Sequence, residues 1–150
     1  MLISEDIVTL ESDLVEVTGG AGFVGSHLVD KLMQDGHEVI ALDNFFTGKR
    51  HNIEHWIGHS NFELLHHDVT NPIYVEVDEI YHLASPASPQ HYMHNPIRTI
   101  KANTLGTLNM LGIRQETGIP RFHAIWYSSV TSKELVSPNG RDSTSPKFIV

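Results

Sequence analysis

Cysteine is absent from all 150 residues, which excludes disulfides, thiolate zinc sites, iron–sulfur clusters and cysteine nucleophiles. No stretch approaches the roughly 20 consecutive apolar residues of a membrane-spanning helix. Positive charge is scarce: ten Lys and Arg stand against eighteen Asp and Glu, a net charge of −8. Such a chain is a poor partner for nucleic acid or an anionic membrane. The opening segment, 1–13, holds Glu5, Asp6, Glu11 and Asp13 and no base, unlike a signal or transit peptide. The chain as written is expected in the cytoplasm. Apolar residues make up 40%, enough for the core of one domain at this length.

Residues 1–13 read as an acidic lead-in, 14–130 as a truncated α/β domain, and 131–150 as a low-order tail. In that tail ten residues are Ser, Thr, Pro, Gly or Asn. Strands are expected at Leu14–Thr18, Glu38–Leu42, Phe62–His67, Glu79–Leu83 and Arg121–Tyr127. Val24, Leu28 and Leu32 recur at helical spacing within Phe23–Gln34, and Asp35-Gly36 ends that helix. A short helix is expected over Arg50–Ile57, a proline-rich loop over Ser85–Pro96, and a long helix over Ile97–Arg114. Ile97, Ile100, Thr104, Leu108 and Leu111 lie along one face of that long helix. Strand–helix alternation with apolar strands predicts a parallel sheet, an incomplete doubly wound fold of strand order 3-2-1-4-5.

Between the first strand and first helix stands Thr18-Gly19-Gly20-Ala21-Gly22-Phe23-Val24-Gly25, which satisfies GxGxxG and GxxGxxG. One glycine makes the tight turn, one lets backbone approach a pyrophosphate, and one lets the helix pack on its strand. The helix N-terminus then offers free N–H groups to phosphate. The second strand ends at Asp43, 18 residues after Gly25. That acid suits the ribose hydroxyls of NAD and repels the extra phosphate of NADP, while Lys49 and Arg50 argue mildly the other way. The competing explanation is a merely structural glycine turn. Eleven histidines invite a metal reading, and His51, His55 and His59 recur every four residues. Gly58 interrupts that helix and no HExxH pattern follows, so no metal site is expected. Ser128-Ser129 lacks a GxSxG context for a hydrolase nucleophile.

Several segments carry a resemblance: Val17 through Leu28, Asp43-Asn44-Phe45-Phe46-Thr47-Gly48, Phe62-Glu63-Leu64, His67-Asp68-Val69, Ile80 through Pro89, and Asn103 through Gly112. Together they resemble the UDP-glucuronate decarboxylases (UDP-xylose synthases) of the extended short-chain dehydrogenase/reductase family, over residues 14–113. The Ala84-Ser85-Pro86-Ala87-Ser88-Pro89 loop, with Tyr92, Asn95 and Pro96 behind it, is the most specific part. The resemblance implies a Rossmann-type fold and an NAD cofactor. It implies a lyase acting on UDP-glucuronate by oxidation at C4, loss of the carboxylate as carbon dioxide, and re-reduction. It implies cofactor contacts at Gly19, Gly22, Phe23, Val24 and Gly25 along the pyrophosphate. Asp43, Asn44, Phe46 and Thr47 would surround the adenosine ribose, Asp68 and Val69 the adenine, and Leu83 and Ser85 the path to the nicotinamide. Ile73, Tyr74, Lys101, Asn109 and Gly112 would meet the UDP-sugar, with Lys101 and Gly112 about three turns apart on one helix face. Family members pair as homodimers through the helix at 97–114, and some are Golgi-anchored by an upstream membrane segment.

Departures are as informative. Ala102 stands where the resembled family usually has Thr, and Glu16 falls inside the first strand where it has an apolar residue. The family's proton transfer uses Tyr-x-x-x-Lys, but the residues four after Tyr74, Tyr81, Tyr92 and Tyr127 are Asp78, Ser85, Pro96 and Thr131. No catalytic residue is therefore assigned, and the substrate domain is read as missing. Three functions follow: the inherited enzyme, a nucleotide-binding module without turnover, or a fragment that pairs with a full-length subunit through the long helix.

Overall fold

In a computed structural model, residues 12–86, 93–119 and 121–124 are described. The acidic lead-in apart from its last two residues, the middle half of the proline-rich loop, the end of the expected fifth strand and the whole 131–150 tail lie outside them. The chain runs β1 (Leu14–Thr18), α1 (Phe23–Gln34), β2 (Glu38–Asp43), two 3-10 turns (Arg50–Asn52 and Glu54–Trp56), β3 (Phe62–His66), β4 (Glu79–His82), α2 (Pro96–Lys101), a π-helical segment (Ala102–Gly106), α3 (Thr107–Thr117) and β5 (Arg121–Ala124). The sheet has the expected order β3-β2-β1-β4-β5, every pairing parallel. Alternating apolar strands and helices leave the chain no hairpin route between neighbours, so each connection crosses over the sheet.

β1 lies at the centre and is buried on both faces. Val15 and Val17 pack with Val29, Leu32 and Met33 of α1, with Val39 and Ala41 of β2, and with Ile53. On the opposite face Leu42 and Ile80 meet Met110 and Ile113 of α3, with Val69, Val77 and Ile119 closing the cluster. Each such side chain removed from water contributes about 1.5–3 kcal/mol. α1 ends where Gly36 N–H donates to the Met33 carbonyl and His37 N–H to the Leu32 carbonyl, a paired closure that satisfies the last-turn oxygens. α2 begins at Asn95, whose side chain accepts from Arg98 N–H at 3.0 Å, with Pro96 in the first turn.

Two expectations change. The single helix over Arg50–Ile57 is two 3-10 turns separated by Ile53, which is fully buried and has non-helical backbone angles (φ −126°, ψ 4°). The histidines there share no face of a helix. His51 pairs with Glu54 at 2.8 Å, His55 with Asp30 at 2.7 Å, and His59 Nδ1 accepts from Asn61 N–H. The long helix is continuous from Pro96 to Thr117, but a π-helical turn interrupts it. Its core contacts come from Met110 and Ile113, whereas Ile97, Ile100, Thr104, Leu108 and Leu111 all face solvent. Among the described residues no helix is long and apolar enough to cross a membrane.

Glu16 is the exception in the core. It is fully buried, in register with Ile40 and Ile80, and neither carboxylate oxygen has a hydrogen-bond partner. Burial pushes its pKa up to about 7, because an unpaired charge in apolar surroundings costs more than a proton. An unfolded Glu16 titrates near 4.5. Between the two values the folded state holds the extra proton, so this residue's contribution to stability falls as pH rises from about 4.5 to about 7 and then levels off. Glu16→Leu is expected to be more stable than the parent. Its advantage should grow by about 3 kcal/mol across that window, as read from urea unfolding of both chains at pH 4.5 and 7.5. An advantage independent of pH would contradict this origin.

Candidate functional site

The carboxyl ends of β1, β2, β3 and β4 open into a cavity of about 450 Å³. Ligands gather at this edge of open α/β sheets because the strand order reverses there and leaves a crevice. The glycine turn forms one wall. Gly19 has φ +73°, and a Cβ on Gly25 would stand 2.1 Å from the Gly19 carbonyl oxygen. Only hydrogen fits between the start of α1 and the turn beneath it. Gly22 caps α1 through backbone alone, and no acid occupies the first helical turn. That end is therefore free to accept an anion. Phe23 and Val24 project from it, 79% and 56% exposed, and with Gly19, Gly22 and Gly25 they line the cavity.

Asp43 ties this wall to the next. Its Oδ2 accepts from Ala21 N–H at 2.9 Å and its Oδ1 from Phe45 N–H at 2.7 Å. The Asn52 side-chain amide and the Lys49 backbone N–H hold the other side of the same residue by donating to the Ala21 carbonyl. Phe45 is held at φ +55°, a left-handed conformation that side chains larger than glycine enter at a cost. Asn44, Phe46 and Thr47 follow along the rim, and Asp68 and Val69 rise from the end of β3. Asp68 Oδ1 accepts from the Thr70 amide and hydroxyl, and Oδ2 from the Asn44 amide. Burial works to raise its pKa, but these hydrogen bonds and the Arg98 charge outweigh it and hold the group below the usual carboxylate range.

The β4 end is fixed by a buried relay. Thr18 Oγ1 accepts from the Leu83 and Ala84 amides and lies 2.8 Å from His82 Nδ1, to which it donates. His82 Nε2–H then donates to Thr107 Oγ1 at 3.2 Å, and Thr107 donates to the Asn103 carbonyl. Burial pushes the His82 pKa down to about 4, so the ring is neutral and each nitrogen has one fixed role. Ser85 Oγ–H donates to Asn103 Oδ1 at 2.8 Å, and Leu83 and Ser85 both line the cavity. Gly106, in the π-helical segment, lets the helix settle on the loop after β3: a Cβ there would meet Val69 Cγ2 at 2.7 Å.

All thirteen residues assigned to the cofactor from sequence border this one cavity. The five assigned to the sugar do not. Ile73 packs on the α3-side core. Tyr74 is exposed, and hydrogen bonding to Glu116 raises its pKa. Asn109 donates to the Val69 carbonyl at 2.8 Å. Lys101 is exposed beside Ala102, and Gly112 is half-buried. The three-turn spacing between Lys101 and Gly112 assumed unbroken α-helix, and the π-helical turn between them shifts the phase. Seven lining residues were not assigned: Leu42, His67, Thr70, Ala84, Pro86, Arg98 and Ala102. Most adjoin assigned neighbours at strand ends, a signal available in sequence. Arg98 comes from a separate helix and left none.

The sheet order, the parallel pairing and the glycine turn define a Rossmann-type fold. The pattern of the family described as GDP-mannose 4,6 dehydratase matches residues 17–133, and the chain belongs to that family. UDP-glucuronic acid decarboxylase 1 of Danio rerio is 71% identical over 102 residues, covering 68% of this chain and 24% of that protein. UDP-glucuronic acid decarboxylase 6 of Arabidopsis thaliana is 64% identical over 123 residues, covering 81% and 36%. The chain thus spans about a quarter to a third of the curated relatives' length. Among solved structures, a UDP-galactose 4-epimerase superposes with a TM-score of 0.64 at 32% identity, over 74% of this chain and 37% of that one. The UDP-glucose 4-epimerase of Thermus thermophilus, solved in complex with NAD, gives 0.60 at 31% identity, over 73% and 36%.

Gly25→Ala is expected to cost about 2 kcal/mol or more of unfolding free energy, since its clash is with backbone. Gly112→Ala, with nothing within 4 Å of the added Cβ, is expected to stabilise the helix by a few tenths to about 1 kcal/mol. Urea denaturation of the two variants tests this contrast, and equal effects would contradict the packing of the turn.

Proposed function

We propose that the chain is the NAD-binding part of a UDP-glucuronate decarboxylase. The observation that carries this is the convergence of the glycine turn, Asp43 and Asp68 on one cavity at the strand ends, in a chain 71% identical to such an enzyme over 102 residues. The residues present suit a dinucleotide. The uncapped start of α1 matches a pyrophosphate, and the carboxylates after β2 and β3 match ribose hydroxyls and an adenine edge. NAD, when bound, supplies hydride acceptance and return. The protein's part is to hold it and to exclude water: the glycine turn fixes the phosphates, and the Thr18–His82–Thr107 relay fixes the β4 loop. On this reading Ile73, Tyr74, Lys101, Asn109 and Gly112 meet UDP-glucuronate only when the rest of a family member closes over them. A domain boundary near 14–130 is part of the same proposal.

A second reading is favoured by one observation. Ile97, Ile100, Leu108 and Leu111 are 68%, 61%, 62% and 39% exposed along one stretch of helix, a patch of the kind that marks an interface. The chain pairs through it as a homodimer, which sedimentation of the chain at a single-copy mass would refute, or against a longer subunit, which failure to co-purify with one would refute.

Isothermal titration of the 150-residue chain should show NAD bound more tightly than NADP, because Asp43 disfavours an added phosphate. Equal or reversed affinities would contradict this. The same preparation given NAD and UDP-glucuronate should release no carbon dioxide above background, since no tyrosine in the sequence has a lysine four residues on to assist its proton transfer. Turnover by this chain alone would overturn that assignment.

A further inference from the structure

Arg98 is the third residue of α2, far in sequence from the glycine motif, yet its side chain reaches the cavity wall. Its Cζ lies 4.0 Å from the centroid of the Phe46 ring, and its Nη2 lies 3.5 Å from Asp68 Oδ2. Asp68 Oδ2 also accepts from Asn44 Nδ2 at 3.0 Å, and Asn44 Oδ1 accepts from Phe46 N–H at 3.0 Å. The contacts close on themselves, from Arg98 to Asp68 to Asn44 to Phe46 and back. They join α2, the loop after β3 and the loop after β2, three segments that are not consecutive in the chain.

All four residues line the cavity, and Arg98 is the only Lys or Arg among its described lining residues. A guanidinium is flat, weakly hydrated and able to bond at its edge while stacking on its face. Here Asp68 occupies the edge and Phe46 one face, and the side chain keeps 39% of its surface exposed. The ring of contacts sits at the ends of β2 and β3, the side of a doubly wound sheet that takes the adenosine half of a dinucleotide.

We infer that the Arg98 guanidinium, backed on one face by Phe46 and held at its edge by Asp68, offers its other face as the platform on which the adenine base stacks, making Arg98 an affinity-determining residue for the adenosine half of the ligand. The inference rests on the proposed dinucleotide site. The open face of the guanidinium recognises a planar, electron-rich heterocycle by stacking and cation–π contact, independently of the phosphate cradle at the glycine turn. Charge alone does not suffice, because an ammonium lacks the flat face.

The test is titration of the full chain and its variants with NAD, with AMP and with nicotinamide mononucleotide. Arg98→Ala and Arg98→Lys should both weaken NAD and AMP about tenfold. Nicotinamide mononucleotide binding should stay unchanged. Phe46→Leu, which leaves the Asp68 contact in place, should give a similar loss. The double variant should lose no more than about either single one, since Phe46 acts by holding the Arg98 platform in place. AMP bound by Arg98→Ala as tightly as by the parent would overturn the inference, and so would full restoration by Arg98→Lys. If Arg98→Ala does not fold, unchanged AMP affinity in Phe46→Leu overturns it instead. A parent chain that binds neither NAD nor AMP would refute the dinucleotide site itself, a different failure.

Discussion

The Asp43 carboxylate is the interaction on which the rest of the site depends. It terminates β2, a strand buried against β1, and so its position is set by the sheet. From there it holds the Ala21 amide of the glycine turn on one oxygen and the Phe45 amide on the other. Hydrogen bonds from backbone N–H to a carboxylate are among the stronger ones available to a folded chain. They keep Phe45 in its left-handed conformation and fix the distance between two cavity walls. A gap is left at Gly48 that only glycine fills, since a Cβ there would fall 2.8 Å from Asp43 Oδ2. Asp43 is therefore structural before it is ligand-binding, and each oxygen keeps a further lone pair for a ribose hydroxyl.

The α3-covered face of the sheet carries two buried polar arrangements with opposite consequences. Thr18, His82 and Thr107 satisfy one another in sequence, with every proton assigned, so their burial orders the β4 loop. Glu16, two residues earlier on the same face of β1, has no partner at all. His82 disfavours its proton in the folded state and Glu16 favours one. Their contributions to stability run against each other over the mildly acidic range, His82 gaining and Glu16 losing as pH rises. A polar residue in a central parallel strand is thus supportive or costly according to whether the neighbouring elements supply a partner.

Much of this was legible in the sequence because the determining signals are local. Apolar runs of strand length, Gly22 and Gly25 about the start of Phe23–Gln34, and Asp43 after Leu42 each announce themselves within a few residues. Together they place the cavity. Glu16 was legible as a conflict, since a charged residue in a strand of apolar neighbours is visible without coordinates. What was not legible depends on phase and on distance. The π-helical turn at Ala102–Gly106, which sets Gly106 tightly on Val69 across 37 positions, rotates everything after it. The histidines at 51, 55 and 59 suggested one helical face, but the non-helical backbone at Ile53 divides that stretch into two turns. Arg98 reaches Phe46 and Asp68 only because the helix after β4 crosses back over the β2 and β3 loops, which no spacing rule contains.

The central claim is that this cavity is formed by the chain itself and held open by Asp43. Amide hydrogen exchange at Ala21 and Phe45 measures that directly, because both N–H groups are bound to the Asp43 carboxylate. Both should exchange slowly in the absence of any nucleotide, and both should exchange freely in Asp43→Ala while core amides of β1 such as Val17 stay protected. Fast exchange at Ala21 and Phe45 in the parent chain, slowing only when NAD is added, would contradict it.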